Sequence, residues 1–154
     1  MLYVFDSSTW IKVNRETPPD IYKSVWTRID DAIEHSLIRS PDEVCVELEQ
    51  GVDGLAKFLK SRNGLFVPLE DELQIALSEV MAECPTLSDP DSPRNNADPF
   101  VVALAKIRNA TVVSQEKSRK DKKNGRMKIP DACARFKCEH LDWFTYLRAQ
   151  GWSL

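Results

Sequence analysis

Short apolar runs alternate with helical patterns along this chain. Residues 2–5 are apolar and end at Asp6, and residues 111–114 form a similar run just before Glu116. Unbroken runs of this length are typical of strands that are buried on both faces, as in a parallel sheet. Three further stretches are candidate strands: residues 37–39, 65–69 and 138–141. An acid at the end of such a strand either caps the next turn or begins a site, because ligands of open α/β sheets bind beyond the strand ends.

Helical patterns fill the intervals between these runs. Ile21, Val25, Ile29 and Ile33 recur every four residues, which predicts a helix that starts at residues 18–20 and ends near residue 35. A second helix is predicted after Ser40 as its N-cap, since proline follows at the first helical position and glutamate completes a capping box. Further helices are predicted at residues 55–59, 70–84, from 98 onwards, 129–136 and 142–147. Strands that alternate with helices predict an α/β fold, a three-layer sandwich with a central mainly parallel sheet flanked by helices.

The composition indicates a globular chain with one sizeable core. The chain has 154 residues, of which 42% are hydrophobic and 29% charged, and this predicts a single domain over residues 1–154. No apolar run reaches the length of a membrane span, and the N-terminus lacks the pattern of a signal peptide. We therefore expect a cytoplasmic protein with no membrane partner.

The four cysteines are scattered along the chain. Cys133 and Cys138 could form half of a metal site with His35 or His140, although their spacing is not that of a zinc knuckle. Buried free thiols in a reducing compartment are the favoured interpretation.

Positive charge is concentrated in one segment although the whole chain has a net charge of −3. Residues 117–128, here called the basic loop, contain one acid, Asp121, and seven cations: Lys117, Arg119, Lys120, Lys122, Lys123, Arg126 and Lys128. Such a run is either a solvated loop or a surface that grips a polyanionic backbone.

Carboxylates follow the predicted strands and begin two predicted helices. Asp6 and Glu116 come after strands, Asp98 precedes a proline at a helix start, and Glu47 lies one turn after Glu43. Taken singly, each has an ordinary explanation as a turn residue, an N-cap or a solvated side chain. Taken together, the acids at the carboxyl edge of a parallel sheet can converge, and converging carboxylates require a cation. Ligands that are all oxygen favour Mg²⁺ or Mn²⁺, which serve phosphoryl chemistry.

These motifs resemble those of the PIN-domain nucleases, the family that includes VapC-type toxins. Residues 3–8 resemble the opening strand, with Asp6 as the first acid and Ser8 as its polar partner. Glu47-Leu48 matches the Glu-Leu pair of the second motif, and residues 97–105, beginning Ala-Asp-Pro-Phe, resemble the third. The last motif usually reads Thr-x-Asp, whereas this chain has Ser114-Gln115-Glu116. The resemblance therefore offers Asp131 as a substitute for Glu116, or an addition to it.

The resemblance implies a metal-dependent endoribonuclease, the toxin of a toxin–antitoxin system. Asp6, Glu47 and Asp98 would bind Mg²⁺ or Mn²⁺, and Glu116 would complete the pocket. Further residues are expected to support the site or bind RNA: Ser8, Ser114 and Asp131 in the first role, and Lys117, Arg119, Lys120, Lys122 and Lys123 in the second. Members of the family commonly form homodimers and are inhibited by an antitoxin protein, so we expect both partners here.

Two other functions compete with this interpretation. Haloacid-dehalogenase-like phosphatases also have an aspartate after a buried strand, but they need a second aspartate where this chain has Ser8. The fold could instead be a catalytically inactive PIN-like module that binds RNA or protein. Metal binding at a site that contains Asp6 would distinguish the nuclease from the inactive module.

Overall fold

The central element is a five-stranded sheet in which every strand pair is parallel. The structure is a computed structural model, and it describes residues 1–51, 54–89, 91, 96–119 and 125–153. The strands are β1 Tyr3–Phe5, β2 Ile38–Pro41, β3 Phe66–Val67, β4 Thr111–Val113 and β5 His140–Leu141. Their spatial order is β3-β2-β1-β4-β5. Because the chain builds outward from β1 in both directions, the sheet has a topological switch point between β1 and β4.

Helices connect the strands and cover the sheet. Their bounds are α1 Ser7–Glu16, α2 Lys23–Glu34, α3 Asp42–Glu49, α4 Leu55–Lys60, α5 Asp71–Glu83, α6 Asp98–Arg108, α7 Ile129–Arg135 and α8 Trp143–Gln150. Crossovers between parallel strands are almost always right-handed, so connections that run to both sides of β1 place helices on both faces of the sheet. This confirms the predicted α/β fold with a parallel sheet flanked by helices. None of the described helices is long and apolar enough to cross a membrane.

Aromatic side chains from β1, α1 and α8 form much of the core. The Phe5 ring lies 4.9 Å from Trp10 and 5.1 Å from Tyr146, measured between ring centroids. Trp10, Trp26 and Trp143 are all buried. These three indoles therefore stabilise the fold by apolar burial and do not present a face to a nucleic acid base.

The start of the chain folds differently from the prediction at two helices. The polar residues after Asp6 form α1, which was not predicted, and this helix buries Thr9, Trp10 and Val13. Helix α2 begins at Lys23 rather than at residues 18–20, because the Pro18 carbonyl accepts hydrogen bonds from the amides of residues 21 and 22 in a turn. The two prolines therefore lie in the turn that connects α1 with α2 and do not start a helix.

Ser40 is not the N-cap of α3, so that prediction is wrong. Strand β2 continues through Pro41, which is the residue that precedes the helix. The Ser40 hydroxyl is fully buried, donates to the Phe5 carbonyl at 2.6 Å and accepts from the Trp10 indole at 2.9 Å. The Ser40 hydroxyl therefore forms hydrogen bonds with β1 and α1 instead of capping α3, as the local sequence pattern had predicted.

Replacing Ser40 with alanine is expected to lower the free energy of unfolding by about 1–3 kcal/mol, since the buried Trp10 indole N–H loses its acceptor. Urea denaturation measures this change. Ser61→Ala is the matched control, because the Ser61 hydroxyl donates to a carbonyl at an exposed position. Equal stability of Ser40→Ala and wild type would contradict a structural role for this hydroxyl.

The cysteines fit the favoured interpretation of free thiols. Cys45, Cys84 and Cys133 are buried, Cys138 is partly buried, and none of them is in a disulfide. Burial raises the pKa of the Cys84 and Cys133 thiols above the ordinary value. Burial of these two thiols is typical of cysteines that pack as small apolar side chains in a core.

Candidate metal centre

Asp6 lies where β1 ends and also caps α1. Its backbone amide donates to the Val113 carbonyl of β4 at 3.2 Å, which places it at the switch point. Its carboxylate accepts from the Thr9 amide at 2.9 Å and from the Ser8 hydroxyl at 2.8 Å to each oxygen. The cap and the first acid of the candidate site are therefore the same residue, and Ser8 fixes the orientation of its carboxylate.

Asp98 begins α6 and is almost completely buried. The N-cap of that helix is Ala97 and not Asp98, so the alternative explanation of Asp98 as a helix cap does not apply. Burial raises the pKa of Asp98 to about 8, with the negative charges of Glu116 and Asp6 adding to the effect. The pKa of Asp6 is likewise raised to about 7, mainly by burial and also by the negative charge of Glu116. The hydrogen bonds that Asp6 accepts from Thr9 and Ser8 lower this pKa and offset part of the increase. Asp6, Asp98 and Glu116 therefore lie close enough for their charges to interact.

Glu47 reaches this edge of the sheet from α3. Its carboxylate accepts from the Ser7 hydroxyl and from the Ala97 amide, the latter at 3.3 Å. Ser7 follows Asp6 and Ala97 precedes Asp98, so Glu47 connects the chain segments that carry the two aspartates. The four acids that the sequence selected are thus brought to one region by β1, α3, α6 and the segment after β4. We call Asp6, Glu47, Asp98 and Glu116 the acid cluster.

Glu116 is held by hydrogen bonds to both of its carboxylate oxygens. One oxygen accepts from the Ile129 amide at 2.7 Å and the other from Arg126 at 3.2 Å. Its backbone amide donates to the Ser114 hydroxyl at 3.3 Å, and that hydroxyl lies 2.6 Å from His140 Nε2. The longer side chain of glutamate, compared with aspartate, therefore spans from the end of β4 to the start of α7.

Arg126 is a site residue that the sequence grouped only with the basic loop. Its guanidinium donates to Asp98 at 2.9 Å, to Glu116 at 3.2 Å and to the Leu87 carbonyl at 2.7 Å. Its side chain is only 16% exposed. The seven cations of residues 117–128 look alike in the sequence, so no local signal shows which of them turns inward.

Asp131 stabilises the base of the basic loop. Its carboxylate accepts from the Ser118 hydroxyl and from the Arg119 amide, the latter at 3.0 Å. These contacts join the start of the loop to the first turn of α7. They give Asp131 a clear positioning role for the loop beside Glu116.

The predicted RNA-binding cations are only partly described. Lys117 is exposed directly after Glu116, and Arg119 is partly buried. Lys120, Lys122 and Lys123 lie outside the described residues. Among the described residues of the basic loop, Lys117 is therefore the exposed lysine next to the acid cluster.

The acid cluster fits a hard divalent cation by its chemistry. All four side chains offer oxygen ligands, which Mg²⁺ and Mn²⁺ prefer, and a cation would stabilise the ionised forms of the two buried aspartates. In the described part of the chain, no three acid, histidine or cysteine side chains stand close enough together to hold one ion. In this conformation the Arg126 guanidinium lies between Asp98 and Glu116.

Two solved structures are similar to this chain over most of its length. VapBC2 from Rickettsia felis, bound to a DNA fragment from the promoter, is 14% identical, with 93% of this chain and 99% of that chain covered and a TM-score of 0.55. FitAcB from Neisseria gonorrhoeae is 13% identical, with 91% and 96% covered and a TM-score of 0.51. The fold is therefore PIN-like, as the sequence predicted.

The chain belongs to the family described as "Domain of unknown function (DUF4411)", which it matches over residues 3–154. Among curated proteins, no relative matches it.

Proposed function

We propose that this protein is a metal-dependent endoribonuclease that acts as the toxin of a toxin–antitoxin pair. The observation that carries the proposal is the pair of buried aspartates, Asp6 and Asp98, which lie with Glu116 at the switch point of a PIN-like sheet. Buried like charges are costly, and a site that keeps several of them together is suited to a cation that binds for function.

The chain's own residues would hold and orient the ion. Asp6, Glu47 and Asp98 would hold Mg²⁺ or Mn²⁺, directly or through water, and Glu116 would complete the pocket. When bound, such an ion lowers the pKa of a water molecule and stabilises the leaving oxygen of a phosphodiester. Ser8 keeps the Asp6 carboxylate in place through its two hydrogen bonds.

The proposed partners follow from the PIN-like fold and from the similar structures. VapBC2 and FitAcB are toxin–antitoxin proteins, which supports a cognate antitoxin for this chain. A homodimer is part of the same proposal, and light scattering after size-exclusion chromatography measures it. Twice the chain mass of 17.6 kDa is the expected result.

RNA cleavage with controlled metal content tests the function directly. The purified protein is incubated with linear and circular single-stranded RNA and with DNA of the same sequence, in Mn²⁺, Mg²⁺ or EDTA. Cleavage of circular RNA with metal, and none in EDTA, is the expected result, because a circle has no end for an exonuclease. A folded protein that cuts no RNA and binds no Mn²⁺ would contradict the proposal.

That negative result would favour the inactive PIN-like module. The contacts of Arg126 also favour this alternative. Arg126 already neutralises part of the acid cluster through its contacts with Asp98 and Glu116. A module that only binds RNA or protein has no need of a divalent ion. Mn²⁺ binding therefore distinguishes the two functions even when the correct RNA target is missing from the panel.

Lys117→Gln is expected to weaken RNA binding and to reduce the slope of log K against log salt by about 0.7, the contribution of one phosphate contact on a single strand. Fluorescence anisotropy with Asp98→Asn protein measures binding without cleavage. Lys57→Gln is the matched control, since Lys57 is exposed on α4. An unchanged slope in Lys117→Gln would exclude Lys117 from the RNA interface, and Lys120, Lys122 and Lys123 would then be replaced together.

A further inference from the structure

We propose that Arg126 is an internal competitor for the divalent ion. Its guanidinium occupies carboxylate oxygens of the acid cluster when metal is absent, and it must withdraw before the ion can bind there. The inference rests on the proposed metal site, and it adds a residue that sets the metal affinity of that site. The competitor belongs to the same chain, so it acts without a partner protein.

The contacts of Arg126 are those of a bound cation. One terminal nitrogen donates to both Asp98 and the Leu87 carbonyl, and the other donates to Glu116. The two carboxylate side chains are only 5% and 15% exposed, so the ion pairs are shielded from water. Shielded, charge-assisted hydrogen bonds of this kind are stronger than surface ion pairs. The contacts are therefore firm enough to oppose metal binding measurably.

The same oxygens cannot serve both cations fully. A divalent ion needs lone pairs of the Asp98 and Glu116 carboxylates, and the guanidinium protons already use one oxygen of each. A positive charge that stays at that position would also repel the ion. Arginine does not lose its proton at any pH at which the protein is folded. Withdrawal of the side chain is therefore the one way in which Arg126 can cease to compete.

The base of the basic loop is also held by contacts that do not involve Arg126. Glu116 accepts from the Ile129 amide, and Asp131 accepts from Ser118 and from the Arg119 amide. These bonds close the loop where it leaves β4 and where it enters α7. The Arg126 side chain can leave the acid cluster while they remain, so its removal by mutation need not unfold the site.

Isothermal titration of the metal-free, full-length protein with Mn²⁺ tests the proposal. Arg126→Gln is expected to bind Mn²⁺ about tenfold more tightly than wild type, because the ion no longer displaces a charged hydrogen-bond donor. Arg126→Lys keeps the charge without the planar fork and is expected to fall between the two. Arg119→Gln is the matched control, since it removes one positive charge from the same loop, and its affinity should stay within about twofold of wild type. Circular dichroism checks that each variant is folded.

Each other outcome would overturn the proposal in a recognisable way. Equal affinities of wild type and Arg126→Gln would exclude competition while leaving the metal site intact. An equal gain in Arg119→Gln would assign the effect to net charge rather than to the contacts of Arg126. Weaker binding by Arg126→Gln would make Arg126 a support of the site. Absence of Mn²⁺ binding in every variant would overturn both this inference and the proposed nuclease. If Arg126→Gln gains affinity, adding Asp98→Asn must abolish that gain, otherwise the ion binds elsewhere.

Discussion

Asparagine in place of Asp98 is expected to reduce metal-dependent RNA cleavage by at least about a thousandfold, since a bound ion contributes several kcal/mol to stabilisation of the transition state. Asp6→Asn is expected to have an effect of the same order. Asparagine keeps the size of the side chain and removes the negative charge that an ion needs. Initial rates on an RNA that wild type cuts measure the loss, at equal concentrations of folded protein.

The chain offers a close control for Asp6. Asp142 caps α8 with nearly the same backbone angles, φ −87° and ψ 174° compared with φ −87° and ψ 175° at Asp6, and it accepts from the amide three residues later, that of Thr145. Asparagine is as good a cap as aspartate, so both variants should fold. Asp142→Asn should cut RNA within about threefold of the wild-type rate. Retention of activity in Asp6→Asn would remove Asp6 from the chemistry, provided that EDTA still stops the reaction.

The metal-free protein is expected to lose stability as the pH rises from 5 to 8. The pKa values of Asp6 and Asp98 are about 7 and about 8 in the folded protein, above the ordinary value of 3.8. Between the unfolded and the folded pKa values, the folded protein binds more protons than the unfolded chain, so the free energy of unfolding falls with increasing pH. Each group lowers the free energy of unfolding by about 1.4 kcal/mol per pH unit below its folded pKa, so the expected loss from both is about 6 kcal/mol over this range.

Urea denaturation in EDTA at several pH values measures that loss. Saturating Mn²⁺ should restore stability most strongly at pH 8, where the ion replaces protons on the carboxyl groups. Asp98→Asn should flatten the dependence in EDTA because one of the two groups no longer titrates. A free energy of unfolding that stays constant or increases from pH 5 to 8 would show that the two carboxyls are not protonated on folding.

The sequence indicated strands β1 and β4 well because both are short, mainly apolar and largely buried. A parallel strand that is covered on both faces cannot alternate between apolar and polar residues, so Tyr3–Phe5 and Thr111–Val113 are visible without any partner. Helix α1 was missed because its polar start resembles a loop. Its buried residues Trp10 and Val13 pack against other elements of the core, and these contacts are not visible in the local sequence. Ser40 shows the same limit, since its local pattern is that of a cap while its hydroxyl serves an indole from another element.

The positions of three of the four acids could be inferred from topology. Parallel strands end at one edge, and this is enough to bring residues near Asp6 and Glu116 together and to add the start of the helix at Asp98. The hydrogen-bond partners of these acids could not be inferred, because Arg126 reaches them across a long loop. Arg126 is one of seven cations in residues 117–128, and nothing in the neighbouring sequence shows that it pairs with Asp98 and Glu116.

The order of the strands has a consequence for folding during synthesis on the ribosome. Strand β1 is synthesised before β4, yet the Thr9 hydroxyl near its end donates to the Val113 carbonyl, 104 positions later, and β1 pairs along its whole length with β4. Contacts between such distant segments form late in folding, since a long loop must close first. A chain that is still being synthesised therefore has no assembled acid cluster. The proposed nuclease site is therefore incomplete in the nascent chain until the segment that carries Glu116 has been synthesised and has folded against β1.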